Sequence, residues 1–309
     1  MKKLIFFLSV VSFFSLSCVR EIIKPVYIYK TEEEKRLAIR LGMSDSIYSN
    51  DFVLIAGLGD SQMQKYHIGD VGLDSIRTDG VSFWNLTGIL PDLSNYAKPS
   101  KVRQIDNYFL DQTMGHLVGP LPLFAHSLKA QYSNHDFGFV QFSKSGTSMA
   151  TNTSNWAPGT NGSLFSKAVS EIDNFIIHQG RVPKKMIIEF CMGENDIASV
   201  GLADAFYGQM KKTIDSLISL YPIAKIIVPQ MDPYYQHNVR YISVSNAIFK
   251  IDSAYEQVET ISYMNKNLQP LGDFHAFYIN GGALDPHKTI PGLKSDNDSM
   301  MVKVATVLE

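Results

Sequence analysis

The sequence predicts an α/β fold: a single-domain, three-layer α/β/α sandwich with a parallel sheet of about five strands. Short apolar runs rich in β-branched and aromatic residues alternate with longer segments in which apolar residues recur every three or four positions. Strands that alternate with helices in this way form crossover units, so we expect a parallel sheet covered on both faces. The strands are predicted at residues 52–56, 137–142, 185–190, 224–228 and 260–263, and the helices at 123–132, 164–178, 202–220, 239–257 and 299–308.

The N-terminal residues have the pattern of an export signal. Two lysines precede an apolar stretch that ends at Phe14 and is too short to span a bilayer as a helix. Residues 15–18, Ser-Leu-Ser-Cys, then resemble a bacterial lipobox. We therefore expect a signal peptide at 1–17, secretion across the inner membrane, and a lipoprotein held through Cys18 in the periplasm, the outer membrane or the cell surface. Cleavage by an ordinary signal peptidase is the alternative, because Ser15 stands where the lipobox prefers Leu.

Residues 18–50 are predicted to form a tether and a short helix that precede the main domain at 51–309. Three glutamates open this helix and basic residues follow them, which suits the helix dipole, and Gly42 is the expected stop. The composition, 45% hydrophobic and 19% charged, is that of a globular chain. A formal net charge of −2 without a basic stripe gives no indication of a nucleic-acid partner. Contact with a membrane is expected only through the lipid anchor.

Cysteine and histidine usage gives no indication of a metal site. Cys191 ends an apolar run and is predicted to be a buried, unreactive thiol, because apolar burial raises the pKa of a thiol. If Cys18 carries lipid, Cys191 has no partner for a disulfide. Two cysteines exclude a cysteine-rich zinc site, and the histidines show no shared metal-ligand spacing. We therefore expect neither a metal nor a cofactor.

Four polar clusters follow predicted strands at the point where each strand ends. They are 57–64 (Gly-Leu-Gly-Asp-Ser-Gln-Met-Gln), 143–148 (Ser-Lys-Ser-Gly-Thr-Ser), 192–196 (Met-Gly-Glu-Asn-Asp) and, after a longer loop, 285–287 (Asp-Pro-His). In an open parallel sheet, functional groups gather just beyond the carboxyl ends of the strands. The four clusters are therefore expected on one edge of the sheet, which predicts a polar site there.

These clusters resemble the sequence blocks of the SGNH (GDSL-like) hydrolases. The matching residues are Gly59-Asp60-Ser61 for the first block, Gly146 for the second, Gly193-Glu194-Asn195-Asp196 for the third, and His287 for the histidine before the last helix. The resemblance covers residues 51–309 and implies an SGNH/flavodoxin-like fold and serine hydrolase activity. It implies Ser61 as the nucleophile and His287 as the base. The donors of the oxyanion hole are then Ser61, Gly146 and Asn195.

The proposed chemistry needs these residue types. A serine hydroxyl becomes an effective nucleophile when an imidazole accepts its proton, and the tetrahedral intermediate needs preorganised donors at its oxyanion. Ser61, at a predicted strand-to-helix turn, offers its N–H near a helix N-terminus, where the dipole favours negative charge. The N–H of Gly146 is approachable because no Cβ intervenes. The side-chain amide of Asn195 is a third donor.

Further segments are similar to the sialate O-acetylesterase-like branch of the carbohydrate esterases. They are residues 118–125, 142–148 and 156–159. This similarity implies hydrolysis of a small acyl ester, with acetyl expected, on an acylated carbohydrate. In the first block, Asp60 and Gln62 stand where that branch has Gln and Asn, and both are candidate substrate-binding residues. Trp156 is predicted either to stack on a sugar or to lie in the core, and Tyr234 is a candidate wall of the pocket.

The acid of the catalytic triad is the irregular part of the pattern. The family has an aspartate separated by two residues from the histidine, whereas Asp285 stands only two positions before His287. Three alternatives stay open. Asp285 orients His287, or another acid or a main-chain carbonyl does so, or the catalytic pair is Asp273 and His275.

Two other classes of function fit the same residues. A serine site of this kind also serves acyl transfer to a sugar, or cleavage of a lysophospholipid or a thioester. A catalytically silent carbohydrate-binding protein that keeps the fold is the second alternative, and the irregular Asp-Pro-His at 285–287 favours it.

Replacement of Cys18 by serine tests the lipid anchor. One acyl chain gives only marginal anchoring, whereas the several chains of a lipoprotein hold it stably. We therefore expect Cys18→Ser to move the protein from the membrane fraction to the soluble fraction, while the control Cys191→Ser stays with the membrane. Mass spectrometry of the mature N-terminus provides a second check, and an unmodified N-terminus at another residue would contradict lipidation.

Overall fold

The computed structural model describes residues 31–43, 51–60, 78–86, 103–105, 127–128, 130–144, 146–150, 156–159, 163–231, 238–261 and 290–309, with the backbone alone at 78–86, 103–105 and 290–298. Its strands are β1 (Phe52–Gly59), β2 (Thr78–Leu86), β3 (Arg103–Ile105), β4 (Asp136–Ser143), β5 (Lys185–Cys191), β6 (Ile223–Pro229) and β7 (Val258–Ile261). They form one sheet in the order β3-β2-β4-β1-β5-β6-β7.

The sheet is parallel except at one edge. Every neighbouring pair is parallel apart from β2 and β3, which pair antiparallel. The five predicted strands correspond to β1, β4, β5, β6 and β7, so the predicted α/β fold with a parallel sheet is confirmed. Strands β2 and β3 extend the sheet beyond β4 and were not predicted. Asp79, Gly80 and Asn85 interrupt the apolar pattern of β2, and β3 has only 3 residues.

The helices of the described residues are α1 (Glu32–Arg40), α2 (Leu164–Gln179), α3 (Val200–Leu220), α4 (Tyr241–Asp252) and α5 (Ile290–Leu308), with a short 3-10 helix at Asp196–Ala198. Residues 127, 128, 130 and 131 are also helical, within the predicted helix 123–132. No helix in these parts of the chain has the length and apolarity to cross a membrane.

Helix α1 begins where the sequence predicts, because Thr31 and Glu34 form a reciprocal capping box. The Glu34 N–H donates to Thr31 Oγ1 (3.1 Å), and the Thr31 N–H donates to Glu34 Oε2 (3.3 Å). The Arg40 guanidinium at the end of the helix forms two hydrogen bonds with the Asp173 carboxylate, at 2.6 and 2.9 Å. This ion pair attaches α1 to α2.

Two helices depart from their predicted bounds. Helix α4 ends at Asp252 rather than at 257, and the Asp252 carboxylate accepts both the N–H and the hydroxyl of Thr260 (3.1 and 2.7 Å), which ties the helix end to β7. Helix α5 begins at Ile290, nine residues before the predicted start at 299. Pro291 is compatible with this earlier start, because proline is tolerated in the first turn of a helix, where its missing N–H has no intrahelical partner.

The core consists of two clusters, one on each face of the sheet. Helices α1 to α4 cover the face that presents Leu54, Ala56, Leu58, Val140, Phe142, Ile188 and Phe190. The opposite face presents Val53, Ile55, Phe137, Phe139, Ile187 and Ile227 to Leu128 and to Met300, Val304 and Leu308 of α5. Successive residues of a strand point to opposite faces, so the two clusters confirm the three-layer architecture.

Candidate functional site

The strands that carry the first three polar clusters end at the same level of the sheet. Gly59 at the end of β1 pairs with Ser143 at the end of β4 and with Cys191 at the end of β5. The backbone contacts continue past these ends: the Lys144 N–H donates to Gly59 O (2.9 Å), and the Asp60 N–H donates to Cys191 O (3.0 Å). The three segments that follow therefore leave the sheet side by side, as the sequence predicts.

Only glycine fits at the end of β1. Gly59 has φ 140°, and a Cβ built on it would lie 2.0 Å from the carbonyl oxygen of Cys191. Other residues rarely adopt this backbone conformation, and the contact leaves no room for a side chain. The glycine of the Gly-Asp-Ser motif thus lets β1 approach β5 closely and sets where Asp60 follows.

The loop after β4, residues 144–150, exposes Gly146 and buries the residues that follow it. Gly146 is exposed, with φ 71° and no atom within 4 Å of the position where a Cβ would lie. Thr147, Ser148 and Met149 are at most 3% exposed. The buried residues anchor the loop, and Gly146 is its most exposed residue among those that the structure describes.

Trp156 belongs to the core, which confirms one of its two predicted alternatives and shows that the other, stacking on a sugar, is wrong. Its side chain is 0% exposed and packs edge-on against Phe142 and Phe190, with ring centroids 5.8 and 5.6 Å away. Its indole N–H donates to Thr147 Oγ1 (3.1 Å), and its carbonyl accepts the Thr213 hydroxyl (3.0 Å). The serine-, asparagine- and proline-rich sequence around Trp156 is typical of an exposed loop. The indole is instead buried, and its hydrogen bond to Thr147 anchors the loop that contains Gly146.

Asn195 lies at the start of the short turn after β5. Gly193, two residues earlier, has φ 128°, and a Cβ built on it would lie 3.1 and 3.2 Å from side-chain atoms of Val244 and Met231. Asn195 is half-buried and makes no side-chain capping bond with the 3-10 helix at 196–198. Ser199 is the N-cap of α3. The Asn195 amide is therefore not used as a helix cap.

Two side chains that directly precede α4 hold this turn. The carbonyl of Ile197 accepts hydrogen bonds from Asn238 Nδ2 (3.3 Å) and from Arg240 Nη1 (2.9 Å). Neither residue was predicted to belong to the site, because neither lies in a polar cluster after a predicted strand. Their contacts fix the turn next to Asn195.

Asp196 is a buried carboxyl group between two loops. It is 0% exposed, and its two oxygens accept the Met149 N–H at 2.9 and 3.2 Å. The pKa of Asp196 is raised to about 7: burial is the main cause, the hydrogen bond from Met149 opposes the rise, and the charge of Asp60 adds to it. Asp60 is itself 0% exposed. The prediction that the Asp60 side chain binds substrate is therefore wrong, since a substrate cannot reach it.

The other predicted site residues lie outside the described residues. They are Ser61, Gln62, Tyr234, Asp273, His275, Asp285 and His287, together with Cys18. The structure brings together the end of β1 immediately before Ser61, the loop of Gly146 and the turn of Asn195. Within the described part of the chain, no group of three or more His, Cys, Asp or Glu residues could hold a metal ion. The thiol of Cys191 is 4% exposed, which confirms the prediction that it is buried.

Alanine substitutions at two glycines test the geometry of the strand end. Gly59→Ala combines an unfavourable backbone conformation with a clash against Cys191, so we expect a loss of about 2–6 kcal/mol in the free energy of unfolding. Gly146→Ala places a Cβ in open space at a left-handed position and should lose only about 1–2 kcal/mol. Urea unfolding of both variants measures the difference, and equal losses would contradict this account of Gly59.

The pH dependence of stability tests the burial of Asp196. The folded-state pKa of Asp196, about 7, exceeds the ordinary aspartate value of 3.8, so between these pH values the folded protein binds a proton that the unfolded chain does not. The contribution of this proton to the free energy of unfolding is fully present below pH 3.8 and is lost as the pH rises to about 7. An asparagine side chain does not titrate, so the free energy of unfolding of Asp196→Asn should increase relative to that of the wild type as the pH rises over this range. The relative increase should be at most about 4 kcal/mol.

Asp215→Asn is the control for this experiment. Hydrogen bonds from Tyr255 and then Lys211 lower the pKa of Asp215, so its contribution has the opposite sign and is lost as the pH falls. Between about pH 4.5 and 7.5, urea unfolding should show a pH-dependent difference for Asp196→Asn and none for Asp215→Asn, because the contribution of Asp215 is lost only as the pH falls below 3.8. A difference between Asp196→Asn and the wild type that does not change with pH would show that Asp196 titrates normally.

No protein-family model matches the sequence, and no curated protein is detectably similar to it. Among solved structures, a protein from Arabidopsis thaliana is similar with a TM-score of 0.57 and 15% identity, over 84% of this chain and 99% of that one. The protein NanS is similar with a TM-score of 0.56 and 12% identity, again over 84% and 99% of the two chains. A carbohydrate acetylesterase from Xanthomonas citri has a TM-score of 0.46 and 13% identity, over 71% and 51%. The chain therefore shares the α/β fold of the Arabidopsis thaliana protein and of NanS.

Proposed function

We propose that this protein is a serine esterase that removes small acyl groups, acetyl above all, from a carbohydrate. The proposal rests on the sheet register, in which Gly59 pairs with both Ser143 and Cys191, so that the three strands end side by side. The three blocks that resemble those of serine hydrolases lie at these strand ends. Residues that are far apart in the sequence thereby reach one edge of the sheet. At that edge a nucleophile and its oxyanion donors can act on one ester.

The proposed reaction has two halves. Ser61 Oγ attacks the ester carbonyl carbon while His287 accepts its proton, and the C–O bond breaks when His287 returns that proton to the departing sugar hydroxyl. Water then attacks the acyl-enzyme with His287 again as the base. The acid is released and Ser61 is regenerated.

The described residues support the oxyanion part of this reaction. Gly146 is exposed, and no atom lies within 4 Å of the position where a Cβ would be, so a substrate can approach this residue closely. The Asn195 side chain is not engaged in capping. Both residues are held by buried neighbours, so these donors are preorganised, as stabilisation of an oxyanion requires. The N–H of Ser61 is the third proposed donor.

The proposed substrate class rests on sequence similarity. Residues 118–125, 142–148 and 156–159 are similar to the sialate O-acetylesterase-like branch, and this similarity favours an acetyl ester on a sugar. Trp156 does not add to the argument, because it is buried in the core. A comparison of aryl acetate, butyrate and octanoate esters therefore tests the acyl group. A preference for octanoate would favour a lipase-like activity instead.

Ser61→Ala is the direct test of the nucleophile. We expect kcat for a short aryl acetate to fall by about 10⁴ or more, because loss of the nucleophile leaves only binding and oxyanion effects. Ser219→Ala, which removes a hydroxyl from the exposed end of α3, is the matched control and should keep full activity. An organophosphonate should label the peptide that contains Ser61. A label on another serine, or full activity in Ser61→Ala, would refute the proposal.

Three further variants decide how the base is oriented. His287→Ala should abolish activity, whereas His275→Ala should not; the reverse would make His275 the base. If Asp285 orients His287, Asp285→Asn should lower kcat by a factor on the order of 10⁴. A loss of about tenfold or less would instead assign that role to a main-chain carbonyl or to another acid.

A further inference from the structure

We propose that Asp196 is a positioning residue, whose carboxyl group holds the loop of Gly146 against the turn of Asn195. The inference rests on the proposed function, since it assigns Asp196 a role in aligning two proposed oxyanion donors. Asp196 itself contacts no reacting atom in this proposal. It acts through the backbone amide of Met149.

The contact joins two loops that are distant in the sequence. The Met149 N–H donates to both oxygens of Asp196, at 2.9 and 3.2 Å, across 47 positions of the chain. Met149 lies three residues after Gly146, and Asp196 directly follows Asn195. Both partners are 0% exposed, so water does not compete for this bond. The bond therefore limits how far the two proposed donors can move relative to each other.

Other contacts fix each side of this connection separately. On the Gly146 side, Thr147 Oγ1 donates to the Lys144 carbonyl (2.8 Å) and accepts the Trp156 indole N–H (3.1 Å). On the Asn195 side, Asn238 and Arg240 hold the carbonyl of Ile197. Each loop is thus anchored to its own surroundings, and the bond between Asp196 and Met149 joins them directly.

A positioning role explains why a carboxyl group is buried at this place. Burial of an ionisable group next to the charge of Asp60 is unfavourable for the stability of the fold. A buried amide needs an acceptor, because an unsatisfied one costs about 1–3 kcal/mol, but a neutral group would serve that need. The carboxyl group of Asp196 meets that need, with its oxygens 2.9 and 3.2 Å from the Met149 nitrogen, and at the same time joins the two loops.

The kinetic test compares Asp196→Ala with Asp196→Asn. Alanine removes the acceptor, so the loop of Gly146 should shift and kcat for a short aryl acetate should fall about 10–100-fold, with KM changed less than about threefold. Asparagine keeps one oxygen for the Met149 N–H and should restore kcat to within about threefold of the wild type. Asp173→Ala, which breaks the ion pair with Arg40 at α1, is the matched control and should leave kcat unchanged.

A second measurement does not depend on activity. Hydrogen–deuterium exchange of the peptide that contains residues 146–150 should be faster in Asp196→Ala than in the wild type or in Asp173→Ala. If Asp196→Ala does not fold, Asp196→Val, which fills a similar volume without an acceptor, replaces it in both measurements. Failure of both variants to fold would make Asp196 a structural residue and overturn the positioning role.

The outcomes separate this inference from the proposed function. An inactive wild-type protein, or a Ser61→Ala variant that keeps its activity, would refute the esterase and leave the exchange measurement to decide whether Asp196 holds the loop. A Ser61-dependent esterase whose Asp196→Ala variant is folded and keeps wild-type kcat would refute the positioning role alone. Equal losses of kcat in Asp196→Ala and Asp196→Asn would do so as well, because they would assign the effect to the charge.

Discussion

The parallel register of β1 with β4 and β5 is the constraint on which the rest of this structure depends. It places Gly59, Ser143 and Cys191 at one level, and the approach of Gly59 to the Cys191 carbonyl holds that level. A slip by one residue would turn every side chain of a strand to the opposite face. Both faces of β1 are buried under helices, so the cores that stabilise the fold also fix the geometry of the strand ends.

Much of this arrangement follows from the sequence, because buried parallel strands leave a strong pattern. The run from Phe52 to Gly59 is entirely buried, and it is apolar or glycine throughout. The sequence also places the polar clusters at the carboxyl edge, since each begins where an apolar run ends. Strand β2 escaped prediction because its place at the side of β4 is set by pairing in the sheet, and its own residues do not show a buried or alternating pattern.

The roles of single side chains were harder to predict than the position of the site. Trp156 lies in a segment whose composition is typical of an exposed loop, yet its ring fills a space between Phe142 and Phe190. Asp60 and Asp196 are acidic residues in loops, which are usually solvated, and both are fully buried. Burial of a polar side chain depends on partners from other elements, such as the Met149 amide. Sequence position alone does not indicate such partners.

The motif residues therefore divide by burial into two groups with different tasks. Asp60, Asp196 and Gly193 lie inside, where they set the paths of the segments that follow β1 and β5. Gly146 and Asn195 remain accessible at the ends of those paths. A site that stabilises an oxyanion needs both groups, because hydrogen-bond donors stabilise the transition state less when they must reorganise during the reaction. In the proposed esterase, the buried residues of the motif are as much a part of the site as the accessible ones, because they hold the proposed oxyanion donors in place before a substrate arrives.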